Sequence, residues 1–490
     1  MALMKTIICL ATLLSMTGLL LACGQATPTP QPTQTPAPIN TPQPTAAAQP
    51  TAAPVPAERL AAGQAFADQF LNRDYAAVVD QFDATMKSVF PIDKVQEARE
   101  SLEPQLGAFR QQVGIRGEQV EQNGTVYDIV YVAWEFENAT IELRIVYDQA
   151  GQVAGLFFQP AQTTPPTPYA APAYVDPGAF REQEVTVGSG EWALPGTLTV
   201  PLGDGPFPAV VLVHGSGPND RDETIGPNKP FRDLAEGLAS RGIAVLRYEK
   251  RTKQHAAKFT PDVLAALTVK EETVDDALAA VDLLRQTEGI DPAQIYVLGH
   301  SLGGYLLPRI ALADPASSDR IAGLISMAGP TRPLEELTLE QVTYILGLDG
   351  TVSADEQAAL DELAAQVARV QDPNLSAETP AEDLPLNIPA PYWLDLRGYD
   401  PAETAKGLAQ PLLILQGERD YQVTTADFQG WQAALGSLPS ATLKLYPDLN
   451  HLFMAGEGKS TPAEYESAGH VAEQVIEDIV AWIQANRTTQ

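Results

Sequence analysis

The feature that most limits how this chain can fold is a regular alternation of short apolar runs and amphipathic stretches from Pro208 onward. The run Ala209–Val213 is apolar at every position, which is typical of a strand buried on both faces. The stretch Val269–Arg285 instead places apolar residues at helical spacing. This alternation predicts an α/β fold with a mostly parallel sheet covered by helices on both faces. Glu184–Val187 and Thr197–Val200 are expected to form an antiparallel edge.

Composition excludes several classes of function. The chain has 490 residues, with 31 Lys and Arg against 62 Asp and Glu, which gives a net charge of −31. Nucleic-acid binding depends on clustered basic side chains, so a chain this acidic is unsuited to it. Its two cysteines, Cys9 and Cys23, both lie at the extreme N-terminus. The rest of the chain therefore offers no thiol nucleophile, cysteine zinc site or disulfide framework.

The N-terminal segment has the pattern of a secretory signal peptide. Lys5 precedes the uncharged apolar run Thr6–Ala22, which ends in a small residue before Cys23. The sequence at 20–23 resembles a bacterial lipoprotein box, in which residues 1–22 are removed and Cys23 is lipidated. The alternative is an uncleaved membrane anchor, for which this run is near the lower length limit. Both interpretations place the rest of the chain outside the cytoplasm, attached to a bacterial membrane.

Two proline-rich stretches divide the remainder of the chain. Residues 23–57 contain ten prolines and no charged residue. Such a segment cannot bury enough apolar surface to fold and is expected to act as a semi-rigid spacer. A second proline-rich stretch at 159–178 marks a domain boundary. Residues 58–158 and 179–488 are therefore the predicted globular domains.

The first globular domain changes from helical to strand periodicity. Apolar residues follow helical spacing in Glu58–Phe70, Tyr75–Phe82 and roughly Val95–Val113, and they alternate at strand spacing from Val126 to Phe136. Further strands follow, so this order predicts a small α+β domain with an antiparallel meander. It contains no histidine and no set of side chains that points to chemistry. We expect a docking or ligand-gripping module, with a second active site as the alternative.

The strongest functional signal is the motif Gly299-His-Ser301-Leu-Gly303. It follows the apolar run Ile295–Leu298 and begins a helix at Leu302. A sharp turn between strand and helix presents a serine hydroxyl at the edge of a sheet, and the glycines let the two backbones approach. The glycine–serine pattern is weak alone, but its place between a strand and a helix makes Ser301 the predicted nucleophile.

A nucleophilic serine needs a base that takes its proton and an acid that orients the base. On a sheet of this kind the order along the chain is serine, acid, histidine. Asp420 follows the apolar run Leu412–Gly417 and is the predicted acid, with Glu418 as the alternative. His451 lies in the loop after the next strand, Thr442–Tyr446, and is the predicted base.

An oxyanion hole requires backbone N–H donors close to the nucleophile. One predicted donor is the N–H of Leu302, the residue after the nucleophile. The loop His214–Pro218 follows the strand Ala209–Val213 and contains two glycines, and it offers the N–H of Ser216 as the second donor. The alternative for this loop is a tight turn without a catalytic role.

These residues together resemble a known family. Residues 179–488 are similar to α/β-hydrolases of the serine esterase kind, near the dienelactone-hydrolase and prolyl-oligopeptidase-like branch. The runs His214–Asp222, Pro227–Phe231 and Arg247–Arg251 resemble a bacterial carboxylesterase group with an extra small N-terminal domain, which residues 58–158 resemble in element order. The resemblance implies an α/β-hydrolase fold and esters of short acyl chains. Dienelactone hydrolases usually have a cysteine nucleophile, so Ser301 argues against lactone cleavage of that kind.

A long insertion separates two of the predicted strands. About 80 residues lie between Met327 and Leu412, and helical patterns within 331–405 predict a lid over the site. Tyr344, Tyr392 and Trp393 are candidates for an apolar lining of the substrate pocket. Packing within the lid is the equal alternative for all three.

Together these patterns predict a serine carboxylesterase that acts on a small-molecule ester and needs no metal or organic cofactor. One alternative is a peptidase or amidase with the same triad, although no propeller-like repeats precede the hydrolase domain. A second alternative is an inactive surface-binding lipoprotein, against which the complete triad argues. The sequence makes no prediction of oligomeric state.

Overall fold

The computed structural model describes residues 55–122, 125–161, 169–315 and 321–487. These residues form two compact units that divide inside the gap at 162–168. The predicted signal peptide, Cys23 and almost all of the first linker lie outside the described residues. Within the four described ranges, no helix is both long and apolar enough to cross a membrane.

The described part of the first unit packs four helices against a four-stranded antiparallel sheet of order β1-β2-β3-β4. Phe70 of the first helix stacks on Trp134 of the second strand, with ring centroids 6.1 Å apart, and both side chains are wholly buried. The elements are α1 Ala57–Leu71, α2 Tyr75–Asp80, α3 Ala84–Val89, α4 Ile92–Leu106, β1 Phe109–Gln122, β2 Thr125–Phe136, β3 Thr140–Tyr147 and β4 Val153–Pro160.

One expectation for this unit is wrong. The sequence pattern extends the third helix to Val113, whereas α4 ends at Leu106 and β1 begins at Phe109. Gly107 ends the helix with a φ of 79°, a left-handed conformation that glycine adopts without strain. The strand β1 is rich in Gln, Glu and Arg and leaves Val113 and Ile115 exposed. It therefore lacks the apolar alternation by which a strand is recognised in a sequence.

The second unit contains, among its described residues, an eight-stranded sheet of order β12-β11-β10-β9-β7-β8-β6-β5. The six strands from β12 to β8 are parallel, while β6 pairs antiparallel with both β8 and β5. This confirms the predicted mostly parallel sheet with an antiparallel edge. The strands are β5 Phe180–Val187, β6 Leu194–Pro201, β7 Phe207–Val213, β8 Ala244–Tyr248, β9 Ile290–His300, β10 Gly323–Met327, β11 Leu412–Gly417 and β12 Ala441–Tyr446.

Helices cover both faces of this sheet and form a separate apolar core on each. In β7, Val211 and Val213 enter one core while Val210 and Leu212 enter the other, because successive side chains of a strand point to opposite faces. The helices α5 and α15 pack on one face, and α8, α9 and α14 on the other. The helices are α5 Pro230–Ala239, α6 Arg251–Gln254, α7 Pro261–Ala265, α8 Asp275–Arg285, α9 Leu302–Ala313, α10 Leu334–Leu346, α11 Ala354–Gln371, α12 Ala390–Leu396, α13 Pro401–Ala405, α14 Thr425–Leu435 and α15 Glu473–Ala485.

A helical insertion, α10 to α13, lies between β10 and β11. Ile345 of α10 packs in one apolar cluster with Tyr421 and Leu452. These two residues directly follow Asp420 and His451 in the chain. The insertion therefore lies against the two loops that carry the predicted acid and base.

Candidate active site

Ser301 occupies a strained turn between β9 and α9. Its φ and ψ are 52° and −116°, a conformation that residues other than glycine rarely adopt. Its N–H donates to the carbonyl oxygen of Met327 at 2.9 Å. A Cβ on Gly303 would overlap the carbonyl oxygen of Val213, and one on Gly299 would overlap the backbone of Gly303. The glycines of the motif are thus needed because α9 begins in direct contact with β7 and β9.

Asp420 and His451 are in direct contact. His451 Nδ1 lies 2.7 Å from Asp420 Oδ2, and His451 and Asp420 are 3% and 4% exposed. The same carboxylate accepts hydrogen bonds from the backbone N–H groups of Gln422 and Val423, at 2.8 and 3.0 Å, and from Gln416 Nε2 at 3.2 Å. These bonds fix the orientation of the carboxylate and leave His451 Nε2 as the ring nitrogen that can act on a substrate.

The alternative acid and two of the remaining histidines are not part of this contact. Glu418, the alternative acid, is exposed to solvent. His255 Nε2 lies 3.0 Å from the carbonyl oxygen of Ala193, and His470 pairs with Asp233. Among the side chains that the structure describes, no group of three or more His, Cys, Asp and Glu could hold a metal ion.

The loop His214–Pro218, which is the predicted oxyanion loop, lies against Ser301. A Cβ on Gly215 would lie 3.2 Å from the Cβ of Ser301. No described residue accepts a hydrogen bond from the N–H of Ser216 or of Leu302. Leu302 is the first residue of α9, where N–H groups have no partner within the helix. Both predicted donors therefore keep a free N–H in the part of the chain that surrounds Ser301.

A buried ion pair connects three parts of the site. His300 Nδ1 lies 2.9 Å from Glu223 Oε2, and both residues are almost wholly buried. Burial opposes the charge on each, but their mutual attraction outweighs it, raising the pKa of His300 above its ordinary value and lowering the pKa of Glu223. Glu223 Oε1 accepts the Gly215 N–H at 2.6 Å, and His300 Nε2 lies 3.0 Å from the carbonyl oxygen of His451. The pair thus joins the loop His214–Pro218, the strand β9 and the loop that carries His451.

Charged groups in the segment after the loop His214–Pro218 pair with one another and with neighbouring strands. Arg247, which is 3% exposed, pairs with Asp222. His214 Nε2 lies 3.0 Å from the carbonyl oxygen of Asp220. Burial lowers the pKa of His214 to about 4, so near pH 7 the ring is neutral and its Nε2–H donates to that carbonyl. The His214 contact ties the first residue of the loop to Asp220.

Two of the three aromatic candidates for the substrate pocket are packed in the interior. Tyr392 and Trp393 are 7% and 2% exposed. The Tyr392 hydroxyl donates to Glu272 Oε2 at 2.7 Å, and Trp393 Nε1 donates to the carbonyl oxygen of Ile388 at 3.1 Å. Both residues therefore pack within the protein, which was the alternative to lining the pocket. Their rings are buried, and their polar atoms have hydrogen-bond partners inside the protein.

The third candidate, Tyr344, borders open space. Its ring stacks on Tyr421 with centroids 5.1 Å apart, and its hydroxyl donates to the carbonyl oxygen of Ser460 at 2.8 Å. The two rings line a cavity of about 720 Å³ whose wall also includes Asp420. Of the three aromatic residues, Tyr344 is the one that lines this cavity next to the predicted acid.

Sequence reasoning does not single out Glu223 or Glu272, although both are buried beside the site. Each is one of 62 acidic residues, and no local pattern separates a buried acid from a solvated one. The available signal for Glu223 is its position directly after the run His214–Asp222. For Glu272 the sequence offers no signal, because its partners come from distant segments.

Comparison with known proteins identifies the class to which this fold and site belong. Residues 210–468 match the alpha/beta hydrolase family, and residues 64–156 match a family described as a protein of unknown function, DUF3887. The chain belongs to the alpha/beta hydrolase family. It is also 40% identical over 418 residues to esterase EstD of Thermotoga maritima, across 85% of this chain and 93% of that protein. By this homology it is a carboxylic ester hydrolase at the level of the family.

Similarity to solved structures is lower. The acylaminoacyl peptidase of Pyrococcus horikoshii is 15% identical with a TM-score of 0.42, over 78% of this chain and 56% of that one. Est1E from Butyrivibrio proteoclasticus is 16% identical with a TM-score of 0.39, over 62% of this chain and 98% of that one.

Proposed function

We propose that this protein is a serine carboxylesterase that cleaves esters of short acyl chains through an acyl-enzyme intermediate. Ser301 Oγ attacks the ester carbonyl carbon while His451 Nε2 takes the serine proton. The tetrahedral intermediate then collapses to the acyl-serine, and the alkoxide leaves with the proton from His451. In the second half of the reaction, water gives a proton to His451 and attacks the acyl carbon. The carboxylic acid is then released, and Ser301 recovers its proton from His451.

The observation that carries this proposal is the buried contact between His451 Nδ1 and Asp420 Oδ2, at 2.7 Å. Ser301, Asp420 and His451 follow the carboxyl ends of the parallel strands β9, β11 and β12, so all three come from one edge of the sheet. Asp420 keeps the proton of His451 on Nδ1, which leaves Nε2 unprotonated as the base. It also stabilises the imidazolium that forms when the serine proton is transferred.

The free N–H groups of Leu302 and Ser216 support the same proposal. During the reaction the ester carbonyl oxygen becomes an oxyanion, and donors that are already oriented stabilise it without reorganisation. Removal of one such donor costs about 3 kcal/mol of transition-state stabilisation in comparable sites. Amide hydrolysis could use the same groups, and the substrate test below separates the two reactions.

Hydrolysis of p-nitrophenyl esters from acetate to palmitate by the full-length chain tests the substrate class. We expect rapid turnover of acetate and butyrate and a steep loss for long acyl chains, as the resemblance to bacterial carboxylesterases implies. Peptide p-nitroanilides serve as the comparison. Faster turnover of the anilides would favour a peptidase, and turnover that rises toward palmitate would contradict the short-chain preference. The absence of both turnover and fluorophosphonate labelling would favour a binding role.

We also propose that Cys23 is lipidated and attaches the protein to a bacterial membrane outside the cytoplasm. The support is the lipoprotein-like sequence at 20–23 and the proline-rich spacer that follows it. Cells fed an alkyne-tagged fatty acid should label the full-length chain, and Cys23→Ser should remove the label and release the protein from the membrane fraction. Equal labelling of the two chains would contradict the proposal.

A further inference from the structure

Gly215 is held by buried charged groups on both sides of its backbone. Its N–H donates to Glu223 Oε1 at 2.6 Å, and its carbonyl oxygen accepts from Lys250 Nζ at 2.8 Å. Asn219 Nδ2 reaches the same carbonyl at 3.2 Å. Lys250 is 2% exposed, so its ammonium cannot turn toward water and depends on these internal partners. Because the Lys250 ammonium is buried, its hydrogen bond to the Gly215 carbonyl sets the direction of that carbonyl.

The direction of this carbonyl determines where the next N–H points. The peptide bond between Gly215 and Ser216 is trans, so its N–H and its C=O point in opposite directions. Because the carbonyl points to Lys250, the N–H of Ser216 points away from Lys250. No described residue accepts a hydrogen bond from this N–H, and the loop touches Ser301 at Gly215. The N–H is thus left for a group bound at the nucleophile.

Lys250 is itself held by residues from two other segments. Its Nζ lies 2.8 Å from Glu272 Oε1, and Glu272 Oε2 accepts the hydroxyl of Tyr392 at 2.7 Å. Burial, together with the neighbouring carboxylate, raises the pKa of Tyr392 well above its ordinary value, so the hydroxyl stays protonated and donates. Glu272 lies in a π-helical turn, Lys270–Val274, a local widening of the helix that is common near functional sites.

We propose that Lys250 is a positioning residue of the oxyanion hole: it orients the N–H of Ser216 through the Gly215 carbonyl, and Glu272 and Tyr392 hold it in place. Lys250 does not touch the substrate. This inference rests on the proposed function, because it assigns a role within that oxyanion hole. Tyr392 belongs to α12, so this helix of the insertion acts on the oxyanion hole through Glu272 and Lys250 rather than by lining the pocket.

The direct test is Lys250→Met, which keeps the length of the side chain and removes the donor. We expect kcat on p-nitrophenyl acetate to fall roughly 10- to 100-fold, up to the effect of losing one oxyanion donor, with KM within about twofold. Affinity for an alkyl trifluoromethyl ketone should fall by a similar factor. That ketone forms a bond from its carbonyl carbon to Ser301 Oγ, the serine proton passes to His451, and the carbonyl oxygen becomes an oxyanion. Tyr392→Phe should shift both quantities in the same direction by a smaller factor.

A double variant separates this role from simple destabilisation. Lys250→Met leaves the Glu272 carboxylate buried without its cation, which lowers stability. Lys250→Met combined with Glu272→Met removes both charges, so we expect the melting temperature to recover while kcat and ketone affinity stay low. The matched control is Arg285→Met, which breaks the 2.7 Å ion pair between Arg285 and Asp314. This pair lies near the amino ends of the strands, away from Ser301. It should lower the melting temperature and leave both catalytic quantities unchanged.

Two results would overturn the inference. One is wild-type kcat and ketone affinity in Lys250→Met. The other is recovery of both quantities together with stability in the double variant, which would show a purely structural role. A wild-type chain that neither hydrolyses esters nor binds the ketone would instead contradict the proposed function, so the two failures are distinguishable.

Discussion

Ser301→Ala is expected to lower kcat on p-nitrophenyl acetate by about a million-fold, because it removes the atom that forms the acyl-enzyme. The residual rate comes from the oxyanion donors and from binding, which the substitution leaves in place. Steady-state kinetics with the full-length chain measure the loss. Intact mass after treatment with a fluorophosphonate shows at the same time whether the chain still forms a covalent adduct.

The matched control for this prediction is Ser437→Ala, which changes an exposed serine of the same domain. It should keep wild-type turnover and the adduct. Turnover in Ser301→Ala within tenfold of wild type would contradict the assignment of the nucleophile. An adduct that persists in Ser301→Ala would show that another residue reacts.

Asp420→Asn is expected to lower kcat by about ten-thousand-fold while leaving the fold intact. The introduced amide can still accept the N–H groups of Gln422 and Val423 through its oxygen. Its NH₂ group then takes the place of Oδ2 and faces His451, so His451 is no longer held with its proton on Nδ1. The imidazolium formed during proton transfer also loses the carboxylate 2.7 Å away. Kinetics on p-nitrophenyl acetate together with a melting curve separate the catalytic loss from unfolding.

Glu418→Gln is the control for this second prediction, because it makes the same chemical change two residues away on an exposed side chain. We expect kcat within about twofold of wild type, as is usual for an exposed position away from the site. The opposite pattern, with loss in Glu418→Gln and activity in Asp420→Asn, would transfer the role of the acid to Glu418.

Buried charged side chains connect the loops and the strand that form this site. The pair of Glu223 and His300 bridges the oxyanion loop, the nucleophile strand and the carbonyl of His451, and Lys250 holds the other side of Gly215. A hydrogen bond to an ionised partner is stronger than one between neutral groups. The oxyanion loop contains two glycines, which by themselves favour no single conformation, so these contacts set the direction of its N–H groups.

The sequence alone was sufficient to predict the architecture of the second unit. A strand buried on both faces must be apolar at every position, so β7 is visible in the sequence, and a helix that covers such a sheet shows a period of 3.6. The placement of Ser301, Asp420 and His451 at one edge of the sheet could be predicted as well. In a parallel sheet the carboxyl ends of the strands meet at one edge, and these three residues each follow a strand.

What only the tertiary structure decided is which polar groups are buried together. Glu223, Lys250, Glu272 and Tyr392 come from four separate segments, and the burial of each depends on what the others pack against it. The polar strand β1 was missed for a related reason, since its pairing with β2 rather than its own composition makes it a strand. Local periodicity reports how a segment meets the apolar core, whereas the partners of a charge are set by contacts between distant segments, which no local pattern records.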